Sequence, residues 1–514
     1  MELHVKFLVP EIILLVAACV VTLLGLARAD STRKMTQLIA ALATALAFAA
    51  SLGLFGNPIA VPQSTHVFFN SQYITILACA IGFLSVLSSW DMPARGEPGQ
   101  TDSNYRGEFF GMMLFSLAGV AMIGKVNDLI WLFLVLELVS IPTYIMVATG
   151  RSQIIAQEAG VKYFFLGALA AAIFLFGFSY LYGFAGSTRF VDIAAAFTAA
   201  STSHTVPALA LIGLLMAIIG ISYKIAAVPL HFYAPDVYQG AATPVTAFLA
   251  FAPKAAGFVA IISIVSLTGF NYASSTGSVL QTLLTVMAIL TMTLGNVLAL
   301  LQRNIKRILA YSSIAHSGYM LVGLVAGKGT PDSPMSDGIT ATLFYLGGYA
   351  VMNLGAFAML IYLQGKADAG EDLDDLAGVS KDHPAAALLF TLCLFSLIGM
   401  PATIGFLGKL YIVQSALASG HGTLAVIVVI NAAIAAAYYL KIVAAMYLRD
   451  PLYPFVVRPQ FPLKVAALVC TFAVIVLGIM PAPLLNVTNK AGLPSGPPAV
   501  HIDMPTPQPL VLGN

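Results

Sequence analysis

Polar residues along this chain do not alternate with apolar ones; they gather in short clusters between long apolar runs. The stretch VPALALIGLLMAIIGISYKIAAV at 206–228 shows the pattern, with Lys224 its only charged side chain. A helical run of about 18 or more apolar residues crosses a hydrocarbon core roughly 30 Å thick. About fourteen such runs occur, centred near residues 17, 45, 81, 116, 139, 172, 217, 255, 288, 315, 351, 400, 434 and 472. The pattern predicts an all-α, polytopic membrane protein of about 14 transmembrane helices, a single membrane domain over 1–514.

Composition sharpens this reading. Hydrophobic residues make up 59% of the chain and charged residues 9%, against about 25% charged in soluble domains. A net charge of +2 with no basic patch interleaved with aromatics offers nothing to a nucleic acid. The first apolar run carries Glu11 and meets no small-residue cleavage pattern before RADSTRK, so it reads as a spanning helix rather than a leader. Cys19, Cys79, Cys393 and Cys470 fall inside apolar runs without metal-binding spacing, which makes them small core residues. Fourteen lysines and arginines lie in loops after odd-numbered helices and five on the other side or at the termini. By the positive-inside rule both termini face outward.

Two places interrupt the plain helices. Pro229 and Pro235 follow the helix of Lys224. The 34-residue segment 385–418, with one charge and Pro401 near its middle, would be about 51 Å long as one helix, so it must bend near Gly399–Met400–Pro401. Broken helices at matching positions of two halves point to inverted repeats. Here helices 7 and 12 are the broken ones, which suits five-helix repeats over about 108–267 and 277–447. Two unrelated prolines tolerated by packing are the other reading. The loops 91–108 and 364–384 are too small to fold alone, and the Pro-rich tail 482–514 is expected to be irregular.

Candidate chemistry rests on charges inside the runs. Glu137 is the one ionisable group of LIWLFLVLELVSIPTYIMVA, and Lys254 stands alone in PVTAFLAFAPKAAGFVAIISIV. Lys224 comes five residues before Pro229, Lys409 eight after Pro401, and His316 nine after Arg307. A charge at the bilayer centre costs at least about 2.5–3.5 kcal/mol, so four of them together are comparable to a whole domain's stability. Such groups persist if paired, neutralised or hydrated, and a buried lysine gains and loses a proton readily. Glu137 beside a lysine would modulate that exchange. Taken singly, Lys162 and Lys441 also fit structural pairing or snorkelling to the interface, and His316 alone would fit a satisfied core histidine. No dinucleotide or Walker loop and no histidine pair for haem is visible, so energy must come from an ion gradient or a partner.

At these residues the chain resembles the antiporter-like, proton-pumping membrane subunits of respiratory complex I. Within them it is most similar to the N-subunit branch of bacterial NADH–quinone oxidoreductase. The stretches that carry the resemblance include LVPEIILL at 8–15, NDLIWLFLVLELVSIPTYIMVA at 127–148 and EAGVKYFFLGALAAAIFLFG at 158–177. They continue in YKIAAVPLHFYAPDVYQGAATPVTAFLAFAPKAAGF at 223–258, NIKRILAYSSIAHSGYMLVG at 304–323, EDLDDLAGVSKDHP at 371–384 and GMPATIGFLGKLYI at 399–412. The first and the acidic EDLDDLAG stretch favour the N branch.

The resemblance implies fourteen helices, with helices 4–8 and 9–13 as inverted repeats. It implies proton-transfer roles for Glu137 and its partner Lys224, for the central Lys254, for His316 linking two half-channels, for Lys409 on the outward path, and for Lys162 on the charged axis. It also implies a bacterial inner-membrane location beside other complex I membrane subunits, including neighbouring antiporter-like ones. No cofactor is expected in this chain; FMN, iron–sulfur clusters and quinone would be bound by partner subunits. A subunit of a multi-subunit Na⁺/H⁺ antiporter shares the same Glu–Lys–Lys plan. A membrane arm of a hydrogenase or of a ferredoxin- or F420-dependent dehydrogenase would keep the pumping role with another electron donor.

Overall fold

The computed structural model describes residues 5–27, 29–54, 70–90, 106–151, 154–202, 206–329, 336–364, 371–452 and 460–491. Most of the polar loop 91–108, the start of the acidic loop and the tail beyond 491 lie outside these residues. In chain order, α1 (Val9–Gly25), α2 (Asp30–Leu54) and α3 (Asn70–Ser88) precede α4 (Arg106–Met122), which ends in a 3-10 turn over Ile123–Lys125. Then come α5 (Leu129–Thr149), α6 (Ile154–Ala185), α7 (Phe190–Thr202) and α8 (Ala208–Ser222), followed by α9 (Ala234–Gly240), α10 (Thr243–Leu249) and α11 (Ala252–Ser266). The rest comprises α12 (Ser275–Leu300), α13 (Ile305–Ala326), α14 (Gly338–Leu363), α15 (Val379–Asp382), α16 (Pro384–Ile398), α17 (Ile404–Ala418), α18 (Gly422–Leu448), α19 (Phe461–Ile479) and α20 (Ala482–Ala491). Among the described residues no strand forms beyond isolated bridges, and eleven helices are long and apolar enough to cross a membrane. This is an all-α, polytopic architecture.

Local chemistry sets the helix starts. Asp128 caps α5 by accepting Ile130 N at 2.7 Å, Asn304 caps α13 by accepting Arg307 N at 3.1 Å, and Asp337 caps α14 by accepting Ile339 N at 2.8 Å. Each satisfies amides that the helix leaves without a partner. Lipid-facing helices such as α2, α6, α12 and α18 bury less than half of their apolar window, whereas α10–α11, α13 and α14 are buried almost throughout. The core is therefore a set of inner helices ringed by outer ones. α13 packs on α9, α12, α14, α17 and α18, and α11 packs on α4, α5 and α8.

Three departures from the sequence pattern matter. The tail expected to be irregular from 482 begins with helix α20. The helix of Lys224 ends at Ser222, before the lysine rather than at Pro229, and Lys224 sits in the unwound segment. A further interruption at Ala250–Phe251 precedes Lys254, with Pro253 in the first turn of α11. In the other break Gly399 ends α16 in the left-handed region, and the chain resumes as α17 at Ile404. Ala226 and Ala402 have positive φ, of 52° and 67°, a conformation that costs an L-residue about 1–2 kcal/mol. Each break therefore carries a strained alanine that its surroundings must hold.

Lys306, one of the fourteen cations that the sequence pattern assigns to loops after odd-numbered helices, is wholly buried. Its Nζ donates to Ala241 O at 2.9 Å and pairs with Glu371 at 2.8 Å, and Arg151 pairs with the same carboxylate. Ile305 N donates to Glu371 O and Leu373 N to Arg303 O, so the acidic loop is fastened onto the first turn of α13. A second buried pair joins Glu11 of α1 to Lys125, with Thr75 donating to Glu11 at 3.0 Å. Both explain how these charges survive burial.

Burial pushes the Glu371 carboxyl up, but the charges of Lys306 and Arg151 outweigh it and hold the group below the ordinary glutamate range. A carboxyl depressed in the folded state contributes stability above its unfolded pKa, about 4.3, and that contribution is lost as pH falls through the lower folded value. Glu371→Ala, which leaves Lys306 uncompensated, is expected to cost about 3–5 kcal/mol. Fluorescence-detected size exclusion after heating reads the cost. An unchanged melting midpoint at pH 7 for this variant would show that the clamp contributes nothing.

Candidate functional site

A row of buried ionisable groups runs through the inner helices. It starts in α5, where Glu137 points toward the unwound segment after α8. Lys224 Nζ donates to Glu137 at 3.2 Å and to Ser140 Oγ, which lies one turn further along the same helix face. The ammonium is 2% exposed and the carboxylate 19%, so the pair is shielded yet has one side open. A small cavity lined by Lys224, Tyr163, Tyr233, Tyr238 and Lys254 separates this pair from the next lysine.

Lys254 sits in the first turn of α11 with no carboxylate partner among the described residues. Its Nζ donates to Ser317 Oγ at 2.8 Å and to Ser313 O, and lies 5.2 Å from the Tyr349 ring centre. Ser317 in turn donates to Ile225 O at 2.6 Å. One hydroxyl of α13 thus joins the carbonyl freed beside Lys224 to the ammonium of Lys254.

His316 follows on the same helix, between those two serines. Its Nδ1 is hydrogen-bonded to Tyr345 OH at 2.7 Å and its Nε2 to Tyr439 OH at 3.2 Å. Tyr319 and Tyr349 pack on the ring, with centroids 5.7 and 5.1 Å away. Beyond it Lys409 Nζ donates to Leu397 O at 3.1 Å and Ile398 O at 2.7 Å and lies 4.9 Å from the Tyr319 ring centre. Those carbonyls end α16, where the break leaves them without helical partners and where the helix dipole is negative. The break near Pro401 thereby supplies the acceptors that the buried ammonium needs.

Five of the six expected residues come together: Glu137, Lys224, Lys254, His316 and Lys409. Lys162 stands apart. α6 is 32 residues long, more than one crossing needs, and Lys162 lies in its early turns with its side chain 43% exposed. There it pairs with Glu158 at 2.7 Å and Asp236 at 3.2 Å, and Asp236 also holds Arg307 at 2.7 Å. Lys441 donates to Gln302 O at 3.2 Å, also at the rim.

Sequence reading missed the neutral groups of the row: Ser313, Ser317, Tyr345, Tyr349 and Tyr439. A signal existed in SSIAHS, where three serines bracket His316 within an otherwise apolar helix, and in the i, i+4 pair Tyr345/Tyr349. Chemically, the arrangement is a series of ammonium, hydroxyl and imidazole groups, each able to bind or release a proton. Among the described residues no group of three His, Cys, Asp or Glu converges to hold a metal.

Known proteins resemble this chain over most of its length. Residues 126–435 match the family model described as NADH:quinone oxidoreductase/Mrp antiporter, TM. The NADH-quinone oxidoreductase subunit N of Paramagnetospirillum magneticum is 37% identical over 487 residues, covering 94% of this chain and 96% of that protein. A chain of respiratory complex I from Thermus thermophilus with bound aureothin superposes with a TM-score of 0.75 at 30% identity, over 94% of this chain and 100% of its own. A chain of the Mrp complex from Dietzia sp. superposes with a TM-score of 0.79 at 19% identity, over 96% and 97%, a likeness of fold alone.

The row depends on close backbone approach at Gly257. A Cβ there would lie 3.0 Å from Lys224 Cβ and 3.3 Å from Ile225 N. Gly257→Ala should push the unwound segment away from α11, with an overpacking cost of about 1–3 kcal/mol. Thermal unfolding of the purified assembly measures it; wild-type stability in the variant would mean the contact is slack.

Proposed function

We propose, from the premise that the chain belongs to the NADH:quinone oxidoreductase/Mrp antiporter transmembrane family, that it translocates protons as a membrane subunit of an NADH:quinone oxidoreductase. The observation that carries this is the buried row itself, from the Glu137–Lys224 pair through Lys254 and His316 to Lys409. The chain carries no visible redox chemistry of its own, so the driving force is quinone reduction elsewhere in the complex. FMN, iron–sulfur clusters and quinone belong to partner subunits in this reading.

The pair is the control element. When Lys224 leaves Glu137, its charge stands nearer Lys254 across the shared cavity, and repulsion favours loss of the Lys254 proton toward His316. His316 passes it on to Lys409 on the outward side, and Lys254 is reloaded from the cytosolic side. Lys162, at the rim beside Asp236, serves loading rather than transfer within the row. The Na⁺/H⁺ antiporter alternative rests on the fold it shares; the subunit N names of relatives that match nearly the whole chain favour complex I.

The finer topology belongs to the same proposal. The eleven long helices, together with α1, α8 and the α16–α17 pair, make fourteen crossings. Helices 4–8 and 9–13, over about 108–267 and 277–447, are inverted repeats, supported by the breaks after α8 and α16 and their positive-φ alanines. Both termini face the periplasm of the bacterial inner membrane.

Lys224→Gln should lower the proton-to-electron ratio of the assembled complex while native gels show unaltered assembly; a full ratio would make Lys224 a structural residue. Lys254→Gln should slow coupled turnover roughly tenfold or more, about 1.4 kcal/mol or more on the barrier. To separate the two family readings, the tagged chain is extracted in mild detergent. Co-purification of FMN, iron–sulfur subunits and inhibitor-sensitive NADH–quinone activity is expected, whereas only small membrane subunits without redox centres would favour the cation antiporter.

A further inference from the structure

Lys441 has no place in the row, and its surroundings suggest another role. It lies in α18 where that helix packs on α12, and its side chain leans across the seam to the end of α12. Nζ donates to Gln302 O at 3.2 Å, which satisfies one of its three N–H donors. The next residue, Arg303, is exposed and its guanidinium makes no hydrogen bond or ion pair among the described residues. Two cations thus lie at one corner of the membrane domain without a carboxylate partner.

The other cations nearby are already matched. Arg307 donates to Asp236 at 2.7 Å, to Gln239 at 3.0 Å and to Gln302 at 3.0 Å. Arg449 pairs with Asp374, and Lys306 and Arg151 share Glu371. Asp372 and Asp375 answer each other's backbone in a capping box on the acidic loop. Among the cations of this corner, Lys441 and Arg303 are the two without a carboxylate partner among the described residues.

Apolar surface continues directly from this corner. Val297 and Leu300 of α12, Leu301 just past its end and Ile430 of α18 are exposed. Val297 and Ile430 flank the Asn296–Asn431 contact that closes the seam at 3.1 Å. Two cations at the rim above a lipid-facing seam match a phosphodiester carrying two acyl chains. We propose that Lys441 and Arg303 bind the headgroup phosphate of an anionic phospholipid whose chains lie along the α12–α18 seam. The charge pattern commits to a lipid because an inorganic phosphate would leave the apolar seam uncovered.

The test uses the intact purified assembly with phosphatidylglycerol, phosphatidylcholine or inorganic phosphate added, read by native mass spectrometry after a detergent wash. The wild type should retain one more phosphatidylglycerol per chain than Lys441→Gln/Arg303→Gln. Lys381→Gln, which removes a lysine paired with Asp450, should retain as much as the wild type. Arg303→Gln alone, at an exposed position, should show a partial loss and keeps the question answerable if the double variant does not assemble. Equal retention by wild type and variants, equal retention of phosphatidylcholine, or displacement of the lipid by inorganic phosphate would overturn the proposal. Because the readout is bound lipid, its failure leaves the proton row untouched, and failure of the row leaves this site standing.

Discussion

Three ammonium groups make up the buried row, and among the described residues only one carboxylate reaches any of these three. That imbalance governs the architecture. Lys224 has Glu137, but Lys254 and Lys409 must be held by carbonyls, hydroxyls and the faces of tyrosine rings. An intact helix spends its carbonyls on its own amides, so it has few to offer. Breaking helices releases them. The break after α16 turns two carbonyls toward Lys409, and the break after α8 frees Ile225 O for Ser317, which also receives Lys254. Strained alanines at 226 and 402 are the local cost of that arrangement.

α13 is the element on which the row depends. Its first turn carries Lys306, which fastens the acidic loop and the α9–α10 turn through Glu371 and Ala241. Its middle carries Ser313, His316 and Ser317, and the next turn carries Tyr319 beneath Lys409. Residues three and four apart share a helix face, so one buried helix presents acceptors to Lys254 and an imidazole to the tyrosines of α14 and α18. A displacement of α13 along its axis would move every contact of the row together, and the Glu371 clamp at its end resists such a displacement.

Weak partnership is useful for moving protons. A lysine locked to a buried carboxylate is hard to deprotonate, because removing one charge strands the other. Lys254, held by neutral groups, has no such penalty, and in the proposed cycle its exchange responds to the distance of the Lys224 charge. This gives a physical meaning to placing the one carboxylate at the start of the row and none in its middle.

Much of this was legible from residue order. Hydropathy is a local property of the chain, so the all-helical membrane class and the isolated charges of Glu137, Lys254 and Lys409 followed from counting along it. Pro229 and Pro401 announced interruptions because proline acts on its own neighbourhood. What tertiary structure decided was partnership. That Lys306 is buried while Lys162 stays at the rim, that the break begins before Lys224, and that Ser317 serves both Ile225 and Lys254 depend on contacts between segments 63 to 92 residues apart in sequence. A buried charge declares from the sequence that it needs a partner; only packing selects which carbonyl, hydroxyl or ring lies within hydrogen-bond reach.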